Sequence, residues 1–145
     1  MGRRVQVGPA IPSLRRHRPS GAISCELTDD WEQTGSNMEH PAAIRPEEHA
    51  VFDPQKMGKA TLFRSERVLV GLNAFEPGQE HKLHAHTGMD KVYQVLTGRG
   101  VFLLEVREIP MEAGVMLVAP EGVAHGIRNT GTERLVVLAI LTPSP

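Results

Sequence analysis

A single cysteine, Cys25, stands among the 145 residues. No disulfide can close within the chain, so the fold cannot depend on one, and a cytoplasmic setting is the default expectation. Aromatic residues amount to only 4%, so aliphatic side chains must fill the core. Neither sign of charge dominates: 16 Lys and Arg against 17 Asp and Glu leave a formal net charge of -1. That balance argues against nucleic acid as a partner, since a polyanion selects a basic face. No apolar run approaches the roughly 20 residues of a membrane-spanning helix. Arg3 and Arg4 form a twin-arginine pair with no apolar run behind it, so neither a secretion signal nor membrane attachment is expected. A convincing amphipathic helix is absent too.

What the chain does have is unevenly distributed. Its length suggests one domain with a modest core, and 40% apolar with 23% charged residues is ordinary for a globular protein. Up to about Asn37, however, Pro, Gly, Ser and Arg dominate and no hydrophobic period is visible. Such a stretch buries too little apolar surface to offset its ordering entropy. The expected organisation is a disordered N-terminal extension over 1–45 and a folded domain over 46–145. Arg3, Arg4, Arg15, Arg16 and Arg18 are few and scattered, which fits solvated residues better than a nucleic-acid arm. No helix pair for a DNA-reading module is seen there. Met38 marks where organised sequence begins, and is a candidate start.

Beyond a short acidic turn after Pro46, short strands and Gly/Pro turns alternate. Apolar or alternating runs lie at 61–63, 68–75, 83–86, 92–96, 101–106, 115–118, 125–128 and 135–141. Pro77-Gly78, Thr97-Gly98 and the segment around Pro120 and Gly122 punctuate them. Many short strands split this way predict an all-β sandwich or barrel.

Histidines carry the chemistry. His84 and His86 are two apart, and residues i and i+2 of a strand share a face. Two imidazoles on one inward face suit two cis positions of a metal ion. A His-x-His pair alone arises by chance in roughly one chain in three of this composition. The surroundings are more specific: Gly78-x5-His84-x-His86-x4-Lys91-x6-Gly98, then Gly114-x5-Pro120-x-Gly122-x2-His125-x3-Asn129. The second pattern would occur by chance on the order of once in ten thousand chains. In order and separation, these resemble the two signature motifs of the cupin superfamily, over residues 60–142. The resemblance implies a double-stranded β-helix (jelly-roll) barrel, commonly a homodimer, with a divalent metal ion in its mouth. His84, His86 and His125 match the motif's metal-ligand positions.

One position departs from the family pattern. Where cupins usually place a glutamate ligand, separated by six residues from the closing glycine, this chain has Lys91. Asp90 precedes it and aligns if the loop is one residue shorter, but alternation would turn Asp90 and Lys91 to opposite sides. Three arrangements are open: three histidines with Asp90, three histidines with water, or no metal. Lys91, if it faces the site, needs a lowered pKa or a carboxylate elsewhere.

Other residues are weighed by the same parity. Tyr93 and Val95 share the face of Lys91, so Tyr93, the sole tyrosine, is either a proton donor to a ligand or a barrel residue. His81 has the opposite parity to His84 and should face outward. Gln79 and Glu80 fit turn residues better than substrate contacts. Asn129 fits a turn-bonding role, and Met89, Met111 and Met116 fit packing. His17, His40, His49 and Trp31 precede the barrel without motif support.

The expected function is a cupin barrel holding Fe, Mn, Ni or Zn through three histidines and binding or transforming a small organic molecule. Family resemblance allows dioxygenase or isomerase chemistry. The alternative is a non-enzymatic barrel that binds a sugar or another small molecule.

Overall fold

The computed structural model describes residues 42–145. Residues 1–41 of the expected extension, Met38 as a start, and the readings of Cys25, His17, His40 and Trp31 fall on residues outside those described; 42–45 are exposed and without regular structure. After one 3-10 turn at Pro46–His49, nine strands follow in chain order: β1 Gly58–Arg64, β2 Leu69–Phe75, β3 Glu80–His84, β4 Asp90–Thr97, β5 Arg99–Leu104, β6 Glu108–Glu112, β7 Met116–Ala119, β8 His125–Arg128 and β9 Leu135–Thr142. Among the described residues no helix is long and apolar enough to cross a membrane.

The strands form a five-stranded sheet, β1-β2-β9-β4-β7, and a four-stranded sheet, β3-β8-β5-β6. All pairings are antiparallel. The core lies between the sheets. Phe75 from β2, Tyr93 and Val95 from β4, Phe102 from β5, Met111 from β6, Ile127 from β8 and Leu135 and Val137 from β9 are buried there together. Burying each large apolar side chain contributes about 1.5–3 kcal/mol. The central strand β9 reads as a continuous apolar run because both its faces are covered. Leu135, Val137, Ala139 and Leu141 point into the barrel, while Val136 and Leu138 meet Leu62, Leu72 and Phe52 on the outer face of the sheet.

Tight turns close the far end of the barrel. Gly98 has φ +80°, and a Cβ there would lie 2.3 Å from the Arg134 carbonyl oxygen, so both its conformation and the close approach demand glycine. Asn129 is buried and bonds three backbone groups. Its Nδ2 donates to the carbonyls of Phe75 and Glu133, and its Oδ1 accepts from Gly131 N–H. The turn-bonding role expected from the sequence is the one observed.

Two strand readings change. β6, with Pro110 in its middle, gave no strand signal, because proline cannot donate to a ladder. It occurs at the edge of its sheet, where only one side of the strand is paired. The segment expected at 83–86 is strand only to His84, and the strand begins earlier, at Glu80. Its ladder with β8 shifts register between His81 and His84.

Candidate metal centre

The mouth of the barrel collects the ends of six strands. His84 closes β3 and pairs directly with His125, which opens β8; Leu104 at the end of β5 pairs with His125 on its other side. Lys91, near the start of β4, pairs with Leu141 of β9 and Ala119 of β7. His86 stands in the loop just after β3. Two loops meet above these residues: Gly122 N–H donates to the His86 carbonyl at 2.8 Å, and Gly88 N–H donates to Glu121 Oε1 at 2.6 Å.

Three imidazoles converge. His84, His86 and His125 each offer a ring nitrogen, and these donor atoms lie within 4.8 Å of one another. Ring centroids are 4.8 Å apart for His84 and His86, 4.6 Å for His84 and His125, and 5.5 Å for His86 and His125. The backbone sets two of the tautomers. His84 Nδ1 lies 2.7 Å from the Lys82 carbonyl oxygen, and His125 Nδ1 lies 2.7 Å from that of Val123. A carbonyl only accepts, so Nδ1 carries the proton in both rings and Nε2 keeps a free lone pair. Both Nε2 atoms are buried and have no hydrogen-bond partner. Two buried, unpartnered lone pairs, oriented through their opposite ring nitrogens, are what a metal ion needs and what an unliganded core avoids. The residues present therefore fit a divalent ion.

The third ring is engaged differently. His86 Nε2 lies 3.0 Å from Lys91 Nζ. An ammonium only donates, so His86 Nε2 accepts and the ring is neutral. Lys91 is 6% exposed, and its side chain enters the site. Burial, with a smaller contribution from Lys59, pulls its pKa down to about 8. Tyr93, 1% exposed, lies beside it, with Lys91 Nζ 5.4 Å from the ring centroid and the His125 ring at 5.8 Å. The Tyr93 hydroxyl has no hydrogen-bond partner, and burial raises its pKa.

The pocket favours neutral imidazoles. Burial lowers His86 to about 4, with Lys91, His84, His125 and Lys59 adding to the effect. Burial also lowers His84 and His125, partly opposed by their bonds to the Lys82 and Val123 carbonyls. Among the described residues, the candidate ligand group contains no carboxylate.

Asp90 is not brought to the three histidines. It is exposed, and its Oδ1 accepts from Glu121 N–H at 2.9 Å. β4 alternates as a regular strand, so Lys91, Tyr93 and Val95 turn inward while Asp90 and Gln94 turn out. Asp90 thus ties the two mouth loops together instead of facing the site. His81 is corrected in the opposite sense. The register shift in β3 cancels its parity difference from His84, and the two rings lie 4.1 Å apart. His81 Nδ1 is buried without a partner, and burial, with neighbouring His84, pulls its pKa down to about 3. No signal in the sequence marks that bulge. Its counterpart is Gly126 on β8, where a Cβ would meet the His81 carbonyl oxygen at 2.6 Å and Leu83 N at 3.0 Å.

The remaining candidates have structural placements. Gln79 Nε2 donates to the Asp53 carbonyl and its Oε1 accepts from Glu76 N–H. Glu80 pairs with Arg128 at 3.4 Å. Met111 is buried and Met89 packs on the core, but Met116 is exposed, because it lies on the outer face of edge strand β7. His49 is exposed at the end of the 3-10 turn.

Two antiparallel sheets closed around one core, with three oriented imidazoles at the mouth, define a double-stranded β-helix protein with a candidate metal centre. The model of the cupin domain family matches residues 71–141, and the chain belongs to the cupin superfamily as a small, single-barrel member. TT1209 from Thermus thermophilus has a similar structure, with a TM-score of 0.68 at 37% identity, covering 71% of this chain and 98% of that one. An RmlC-like cupin protein from Desulfovibrio desulfuricans gives a TM-score of 0.65 at 29% identity, covering 72% and 98%. An oxalate-binding protein of Thermotoga maritima is 37% identical over 65 residues, 45% of this chain and 54% of that protein. The chain thus matches about half the length of that relative.

Proposed function

We propose that this cupin holds one divalent ion, of iron, manganese, nickel or zinc, through His84, His86 and His125, and binds a small organic acid at that ion. The observation that carries the reading is the pair of buried, unpartnered Nε2 atoms on His84 and His125, each fixed by an Nδ1 bond to a backbone carbonyl. Three imidazole ligands leave coordination positions open to oxygen donors, and ligand type alone does not choose among these metals. When bound, the ion would supply Lewis acidity toward an oxygen of the ligand. Asp90 has no part in this ligand set, since its carboxylate is turned to the loop. The name of the oxalate-binding relative supports a small carboxylate as the ligand class. Elemental analysis of protein purified without chelator or metal-affinity resin tests the reading. Near one equivalent of a divalent metal is expected; none, even after soaking with each of the four, contradicts it.

A second reading, turnover of the ligand by a dioxygenase-like oxidoreductase or an isomerase, draws on Tyr93. Its hydroxyl is buried and unpartnered, and its ring lies 5.8 Å from that of His125, which suits a group that holds a proton for a bound ligand. Product analysis of metal-loaded protein with candidate acids, in air and without oxygen, tests it; unchanged ligand in both leaves binding alone. A homodimer belongs to the proposal as well. Met116 and Val118 stand 60% and 61% exposed on edge strand β7, which favours a covering partner. Sedimentation showing a monomer at micromolar concentration would remove it.

A further inference from the structure

The charge around the candidate metal centre is one-sided. Lys91 Nζ stands inside, 3.0 Å from His86 Nε2, and Lys59 adds positive charge felt by Lys91, His81, His84 and His86. The four imidazoles are neutral, and the ligand group holds no carboxylate. Among the described residues Lys91 has no ion-pair partner; its one hydrogen bond runs to a neutral acceptor, His86 Nε2. A buried ammonium is stabilised far better by an anionic oxygen than by a neutral nitrogen. It cannot leave by moving its strand, because β4 is hydrogen-bonded to β7 on one side and β9 on the other at this residue. A metal ion held through His86 Nε2 would need the lone pair that now accepts from Lys91, and those two uses exclude one another.

We infer that Lys91 is the specificity-determining residue of the site, receiving an anionic oxygen of the ligand while a second oxygen of the same ligand meets the metal. This rests on the metal reading above and narrows its ligand class to small carboxylates with a second oxygen donor close to the first: short dicarboxylates, 2-oxo acids and 2-hydroxy acids. A simple monocarboxylate such as acetate, which has no second oxygen donor beside its carboxylate, binds more weakly. Lys91 also links the two loading events. Without an anion it occupies His86 and opposes the incoming cation; an anion draws the ammonium away and offsets the added positive charge. Metal and anion therefore favour each other, and by linkage the effect is reciprocal.

The test compares the full chain with Lys91→Met and Lys91→Arg variants by isothermal titration, first with manganese(II) alone and then with oxalate or acetate on the manganese-loaded protein. Removing the cation should have opposite effects on the two titrations. Lys91→Met is expected to bind manganese alone more tightly than wild type and to bind oxalate at least tenfold more weakly, losing the preference for oxalate over acetate. Lys91→Arg, which keeps the charge, should retain that preference. A merely structural lysine would weaken both titrations together, and that result overturns the inference, as does an unchanged oxalate affinity in Lys91→Met. If no form binds manganese, with or without oxalate, the metal reading itself falls and takes this inference with it.

Discussion

Replacing Gly126 by alanine perturbs the scaffold of the site without touching a ligand. The added methyl group would lie 2.6 Å from the His81 carbonyl oxygen and 3.0 Å from Leu83 N, both backbone atoms of β3. Neither can swing aside as a flexible side chain would, so the strand must move by several tenths of an ångström. Overpacking of this kind costs about 1–3 kcal/mol. For a domain of about 100 residues, each kcal/mol shifts Tm by roughly 4–8 °C, so a loss of at least about 4 °C is expected. The same movement displaces Lys82, whose carbonyl fixes the His84 ring. Disturbing such an orienting partner typically costs 10–100-fold in metal affinity. Thermal melting of metal-free protein reads the first effect and metal titration the second. Wild-type values in both would show that β3 yields freely, and that the close approach at Gly126 does not position His84.

Asp90→Asn should leave metal content near the wild-type level, because Asp90 Oδ1 accepts from Glu121 N–H and an amide oxygen can do the same; a large loss of metal by elemental analysis would restore Asp90 as a ligand. Asn129→Ala strands three backbone groups that the amide now bonds and should destabilise the fold by about 3 kcal/mol, read by urea denaturation; a change under about 1 kcal/mol would contradict the role given to the side chain. In metal-free protein, His81 and His86 have folded-state values of about 3 and about 4, against an ordinary 6.5. The unfolded chain therefore binds more protons between those limits, so stability should be level near pH 7 and fall as pH drops below 6.5. A melting temperature that stays flat from pH 7 to pH 4.5 would refute the burial argument.

How much of this was legible in the sequence follows from how local each signal is. Strand alternation depends only on neighbouring residues, and the parity of Lys91, Tyr93 and Val95 is the one observed. The motif spacing led to three histidines, which the fold brings together. What escaped depends on pairing partners that sequence alone does not name. The turn of His81 toward His84 comes from a register shift against β8. β6 is a strand despite Pro110 because it takes an edge position. The bond that occupies Asp90 reaches Glu121, 31 residues away along the chain. Met116 is exposed for a similar reason, since its packing value depended on which face of β7 looked outward.

The most direct test of the three-histidine centre is to measure metal bound by wild type and by His84→Ala and His125→Ala, each apo protein reloaded with the same divalent ion, with circular dichroism as the check on folding. Near one equivalent is expected in wild type and almost none in either variant, with the β-sheet spectrum kept. Equal metal in all three folded proteins would place the ion elsewhere and contradict the assignment.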